Sequence, residues 1–254
     1  ASNNLADDDG LGTISYQWKR AGSAISGATS STYTLTQSDV GSAITVTASY
    51  TDGQGTAESE TSSATSAVEN VNDGGTGLSL ASNGDVADPD EDDALSVTGT
   101  LADEDGVSNA APTYQWSRGS SAISGATSSS YTLVQADVGS IMSVVITYTD
   151  DLSSSNTITL TAASDTDNVN DDPTGAVTIS GTATEDQVLT ASNSLSDEDV
   201  LGTLTYTWSN GDTGTTTTLG QSDVGSAITV TVTYTDGQGT AESVASSATS
   251  AVAN

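Results

Sequence analysis

Between residues 165 and 173 the chain reads Asp-Thr-Asp-Asn-Val-Asn-Asp-Asp-Pro. Asp165, Asp167, Asp171 and Asp172 offer carboxylates, and Asn168 and Asn170 offer amide oxygens, with no basic residue among them. A shorter copy, Glu69-Asn70-Val71-Asn72-Asp73-Gly74-Gly75, lies earlier in the chain. Oxygen donors without His or Cys are the ligand set of a hard cation. Calcium accepts about six to eight oxygens in flexible geometry, whereas magnesium prefers a tighter octahedron and keeps its water. Without an ion, such a run repels itself and stays solvated. The stretch therefore reads either as a joint that calcium closes or as a plain acidic linker.

Other acids come in short groups: Asp88-Pro89-Asp90-Glu91-Asp92-Asp93, Asp103-Glu104-Asp105 and Asp197-Glu198-Asp199. Asp150 and Asp236 each follow a Tyr-Thr pair, and Asp7-Asp8-Asp9-Gly10 stands near the start. Asp88-x-Asp90-x-Asp92 has the opening spacing of an EF-hand loop but lacks its sixth-position Gly and twelfth-position Glu, which rules that motif out. Paired carboxylates also serve glycosidases, but no aromatic-lined cleft is foreshadowed, and no enzyme is expected.

Composition narrows the field. The 254 residues hold 34 acidic against three basic residues (Lys19, Arg20 and Arg118) and no His, a net charge of −31. Such charge argues against nucleic acid and anionic membrane as partners and favours cations, or salty water that screens it. There is no Cys, so neither a disulfide nor a thiolate site is available, and a secreted protein of this kind needs another staple. No apolar run suits a spanning helix, and no signal peptide opens the sequence.

The positioning elements follow from self-similarity. ASNNLADDDGLGTISYQW at 1–18 returns as VTGTLADEDGVSNAAPTYQW at 97–116 and ASNSLSDEDVLGTLTYTW at 191–208. QSDVGS at 37–42 returns as QADVGS at 135–140 and QSDVGS at 221–226. Three copies of one unit result, with boundaries at 1–72, 73–170 and 171–254. Residue 1 matches residue 191, so the first copy lacks its first strand, and an unpaired sheet edge is expected there. Runs such as Ala43–Tyr50, Val177–Ser180, Leu204–Trp208 and Ala227–Tyr234 alternate apolar residues with Thr or Ser, the period of a half-buried strand. Clusters of Gly, Asn, Asp and Ser punctuate them at sandwich spacing. The expectation is an all-β chain of three tandem immunoglobulin-like β-sandwiches in an elongated rod. Trp18, Trp116 and Trp208 are expected in the cores, and Asp39, Asp137 and Asp223 as turn anchors.

Tyr16-Gln17-Trp18-Lys19, Tyr33-Thr34-Leu35, Asp39-Val40-Gly41 and Ile44-Thr45-Val46 resemble the C, E and F strands of an immunoglobulin-like domain without its paired cysteines. More widely, SDEDVLGTLTYTW, AISGATSSTYTL and VGSAITVTASYTDGQGTAES resemble the tandem extender repeats of long RTX-type adhesins of Gram-negative bacteria, with the RTX nonapeptides themselves absent. Asn168-Val-Asn170-Asp171-Asp172-Pro173 is similar to the calcium-binding linker of cadherins, with Asn168 in place of its first Asp. The resemblance implies a secreted, outer-membrane-anchored surface fibre that serves adhesion and biofilm, with calcium as cofactor and partner.

On an immunoglobulin-like frame the acids converge. The B–C loop (Asp197, Glu198, Asp199) and F–G loop (Asp236) of the third copy meet the linker residues Asp165, Asp167, Asn168, Asn170, Asp171 and Asp172 at one pole. The second copy adds Asp90, Glu91 and Asp92 from its A–B turn. The first linker gathers Glu69, Asn72 and Asp73 with Asp103, Glu104, Asp105 and Asp150. The expected function is a non-enzymatic extender, a monomeric fibre whose repeats contact their neighbours, stiffened by calcium and projecting a distal tip. A ligand-binding adhesion module for glycan or protein, and an S-layer or biofilm-matrix filament, remain as alternatives.

Overall fold

The computed structural model describes residues 1–254 and contains strands and three one-turn 3-10 segments, with no α-helix. The first repeat carries β1 (Ser15–Arg20), β2 (Ser23–Ala24), β3 (Ile44–Thr51) and β4 (Ala57–Thr61). The second carries β5 (Thr76–Ser82), β6 (Ala94–Ala102), β7 (Thr113–Arg118), β8 (Ser121–Ala122), β9 (Ser130–Thr132), β10 (Ile141–Thr149) and β11 (Ser155–Asp165). The third carries β12 (Val177–Ser180), β13 (Val188–Asn193), β14 (Thr205–Trp208), β15 (Thr216–Thr218), β16 (Val230–Thr235) and β17 (Ala241–Ala245). The 3-10 turns are Gln37–Asp39, Gln135–Asp137 and Gln221–Asp223, the recurring Q-x-D motif. The chain packs as two compact units. One holds Ala1–Gly77, Thr100–Pro112 and Thr147–Ile158; the other holds Leu78–Gly99, Thr113–Ile146 and Thr159–Asn254.

In the second unit the third repeat is a two-layer sandwich. β12-β13-β15 form one sheet and β14-β16-β17 the other. Alternation decides which residues face inward: Val230, Val232 and Tyr234 are buried along β16, as period two requires. They share one core with Trp208, Leu189, Val177, Leu219 and Val252. The Trp208 indole donates to the Gly214 carbonyl at 2.8 Å, which satisfies its one polar atom inside the core. The middle of the chain has strand orders β5-β6-β9 and β11-β10-β7-β8, and Met142, Val144, Ile146 and Tyr148 are buried in alternation along β10.

In the first unit one sheet runs β2-β1-β3-β4, all antiparallel. Residues 30–36 form no strand, where their counterparts make β9 and β15. Leu35 is consequently 51% exposed, against 0% for Leu133 and 1% for Leu219 at the matching positions, and Trp18 is only half-buried. The tryptophan expectation thus holds fully at Trp116 and Trp208, both buried.

The anchoring aspartates sit as their motif suggests. Asp39 accepts from the Arg20 guanidinium at 2.7 Å, the Tyr33 hydroxyl at 2.9 Å and the Thr36 N–H at 2.9 Å. Asp137 repeats the set with Arg118, Tyr131 and Val134. In the third repeat Asn210 takes the place of the arginine, reaching Asp223 at 3.5 Å. Two of the three basic residues are therefore spent inside turns and do not offset the surface charge.

Candidate metal centre

All of the second linker lies within one compact unit. β11 ends at Asp165, and the chain beyond it is stitched to the turns of the second repeat. Thr166 bridges Val138 and Asp167 bridges Asp90, both parallel. Gly139 N–H donates to the Thr166 carbonyl at 2.8 Å, Asp167 N–H to Pro89 at 2.9 Å, and Glu91 N–H to Asp167 at 2.8 Å. Asp92 takes a left-handed φ of +67°, which Asp tolerates better than most residues. The turn is also tied to the neighbouring strand: Leu133 N–H donates to the Asp93 carbonyl at 2.8 Å. The effect is to fold Glu91, 5% exposed, beneath the linker.

On its far side the same linker engages the third repeat. Asp171 N–H donates to Asp199 Oδ2 at 2.9 Å, and Thr174 and Ser196 exchange a pair of backbone hydrogen bonds. The F–G loop closes over this: Gly237 N–H donates to the Asp199 carbonyl at 2.8 Å. A Cβ on Gly237 would stand 2.7 Å from that carbonyl, which explains the glycine of the T-D-G-Q-G motif. Asp236 Oδ1 accepts the N–H groups of Gln238, Gly239 and Thr240. The Tyr234 hydroxyl holds Asp197, and Asn170 Nδ2 reaches Glu242 at 3.1 Å.

The outcome is a concentration of oxygen. Carboxylate oxygens of Glu91, Asp171 and Glu198 lie within 4.8 Å of one another. Each such pair repels by about 1 kcal/mol in bulk water and by several times more when partly desolvated. Four buried oxygens have no hydrogen-bond partner: Glu91 Oε2, Gln135 Oε1, Asp199 Oδ1 and Asp236 Oδ2. Three belong to the segments just described, and Gln135 opens the turn whose Val138 and Gly139 pair with Thr166. An unpaired buried polar atom costs about 1–3 kcal/mol, and more when it is charged. Burial, then the Asp171, Asp92 and Asp199 charges, pushes the Glu91 carboxyl up to about 6. Burial and the same neighbourhood of acids raise Asp171 too. Such a donor set fits calcium: hard oxygens only, supplied by several loops, bare where a cation would complete them.

The remaining candidates divide. Asp165, Asp167, Asn170, Asp172, Asp90 and Asp92 have exposed side chains, and several serve through their backbone. Gln135 joins the site from outside the acidic segments; its Nε2 donates to Asn168 Oδ1 at 3.1 Å while its Oε1 is bare. Its signal was the Gln that opens each Q-x-D-V-G-S motif, visible only as a turn marker.

At the first linker, within the other unit, Asp105 and Asp150 are buried and Asp103 half-buried, while Glu69, Asn72, Asp73 and Glu104 are exposed. Asn72 Nδ2 donates to Asn156 Oδ1 at 2.9 Å, and Asn156 in turn to Asp150 at 2.9 Å. The Tyr148 hydroxyl donates to Asp103. A further acidic trio, Asp7, Asp9 and Asp52, brings carboxylate oxygens within 4.8 Å at the pole of the first repeat.

No helix of the chain is long and apolar enough to cross a membrane. No protein-family model and no curated protein matches the chain. Among solved structures it is similar to a Ca2+-stabilised adhesin with which an Antarctic bacterium binds ice, at 17% identity and TM-score 0.31 over 97% of this chain and 66% of that one. It is similar to a tetra-tandem repeat from the extending region of a large adhesion protein, at 21% identity and TM-score 0.30 over 96% and 67%. It is also similar to mouse cadherin-23 EC22-24, at 15% identity and TM-score 0.34 over 96% and 87%. The chain thus spans about two thirds of the length of the first two.

Proposed function

We propose that this chain is a structural extender of a large bacterial surface adhesin. Its immunoglobulin-like repeats, bounded at 1–72, 73–170 and 171–254, are stiffened by calcium at the second linker and hold a distal ligand-binding tip away from the cell. The observation that carries this is the set of four bare buried oxygens gathered by the second linker and the turns it touches. Glu91, Asp171, Glu198 and Asp199 are the residues that would hold the ion, with Asp236 and Gln135 beside them. Calcium would supply the positive charge that the linker lacks and turn mutual repulsion of its acids into shared attraction. Sites of extracellular calcium modules bind at about 10⁻⁴–10⁻³ M, so export into calcium-rich medium would switch the linker from loose to stiff. The surface suits a solitary fibre, because like charge discourages lateral association.

Calcium titration of chelator-stripped protein by calorimetry, with X-ray scattering before and after, tests this reading. The expected result is saturable binding with an increase in maximum dimension. An unchanged dimension in chelator and in calcium would sink it.

A further inference from the structure

The first linker is built from the same residues as the second, yet it is closed differently. Gln37 and Gln135 open matching turns, Asn70 and Asn168 follow each by the same 33 residues, and Asp105 and Asp199 end matching acidic loops. In both linkers the glutamine Nε2 donates to the asparagine Oδ1 at 3.1 Å. At the first linker the amide pair goes on to clasp the carboxylate. Gln37 Nε2 donates to Asp105 Oδ1 at 2.7 Å, and Asn70 Nδ2 to Asp105 Oδ2 at 3.1 Å. Asp73 N–H adds a contact of 3.2 Å to the same oxygen. Asp105 is 4% exposed, and both of its oxygens are satisfied. At the second linker Asp199 keeps only the Asp171 N–H, and its Oδ1 is bare, as is Gln135 Oε1.

We propose that Gln37 and Asn70 form an amide latch that closes the first linker without an ion. Hydrogen bonds to an ionised buried carboxylate are shorter and about twice as strong as neutral ones, and amide donors bring no charge of their own to repel. Around Asp199 the neighbours that matter are acids, Asp171 and Glu91, so that side needs a cation. Around Asp105 they are amides, and no three carboxylates of the first linker converge. An ion arriving there would have to displace donors already in place. Hence the chain has one linker that is closed at all times. That its other linker answers to calcium rests on the reading above; the latch does not.

The chain has no Cys, so pairs of introduced cysteines label cleanly. Ser59→Cys with Thr100→Cys brackets the first linker, and Ser121→Cys with Ser243→Cys the second. Spin-label distance distributions would be recorded in calcium and in chelator, with circular dichroism confirming that each variant is folded. For the first pair the distribution is expected to be narrow in both conditions and to broaden in both with Gln37→Leu. Gln37→Glu, which sets an acid against Asp105, is expected to broaden it in chelator and let calcium narrow it again. Broadening of the unmodified first pair by chelator, or a narrow distribution in Gln37→Leu, overturns the latch. A second pair indifferent to chelator overturns the calcium reading and leaves the latch standing.

Discussion

Asp137 and Asp199 are both fully buried carboxylates, and their surroundings assign them opposite roles. Asp137 is saturated by an arginine, a tyrosine hydroxyl and a backbone N–H, and so anchors a turn. Asp39, its counterpart, shows the electrostatic result: burial alone would raise its carboxyl, but the Thr36 N–H, Arg20 and Tyr33 hold it below the usual range. Its contribution to stability is present above the ordinary carboxylate pKa and lost as the pH falls through the lowered one. Glu91 runs the other way. Its carboxyl is pushed up to about 6, so the folded, ion-free protein holds a proton that the unfolded chain releases near its ordinary 4.5. Stability from this group is full below that ordinary value and disappears as the pH rises through 6. In chelator, therefore, the melting temperature should fall between pH 5 and pH 7, and Glu91→Gln should flatten that fall. Melting curves by circular dichroism read the difference. Equal slopes in the two proteins would mean that Glu91 is not the strained acid.

Among elements, the sheet edges show where a Thr-rich, strand-forming chain places its acids. β4 edges the first sheet and β17 the last, and their sequences are AESET and AESVA. Glu58, Glu60 and Glu242 thus put carboxylates on strands whose outer hydrogen-bonding groups are free to pair with another chain, a common protection against edge-to-edge association. The remaining edges of these sheets include β2, which is only two residues long. Replacing Glu58→Val together with Glu60→Val should produce concentration-dependent dimers on size-exclusion chromatography, with the melting temperature little changed. A monomer at all concentrations would show that net charge alone keeps the molecules apart.

For the whole molecule the question is how much of it folds by itself. The core that joins Trp208, Leu189, Val230 and Val252 lies wholly inside residues 171–254. That segment, expressed alone, is expected to melt cooperatively, independent of calcium. Neutralising Asp171→Asn with Asp172→Asn in the full chain should then abolish the calcium-induced change in scattering while leaving that melting transition in place. Loss of the transition as well would make calcium part of the fold of each repeat and not of the linker alone.

The all-β class and the turn anchors were legible in the sequence, because each depends on local pattern: period two and the Q-x-D-V-G-S turn. Strand ends were less so. The alternation runs from Ala227 to Tyr234, whereas β16 begins at Val230, since pairing with β14 and β17 and not alternation sets where a ladder starts. Which acids come together could not be read from spacing. Only the fold turns Glu91 inward through the left-handed Asp92, leaves Asp165 and Asp172 in solvent, and brings in Gln135 from a turn 33 residues before its partner Asn168. The two linkers are near copies in sequence. The structure distinguishes them through which neighbour reaches the buried aspartate first, an amide at Asp105 and other acids at Asp199. That is a contact between distant segments, which no local pattern specifies.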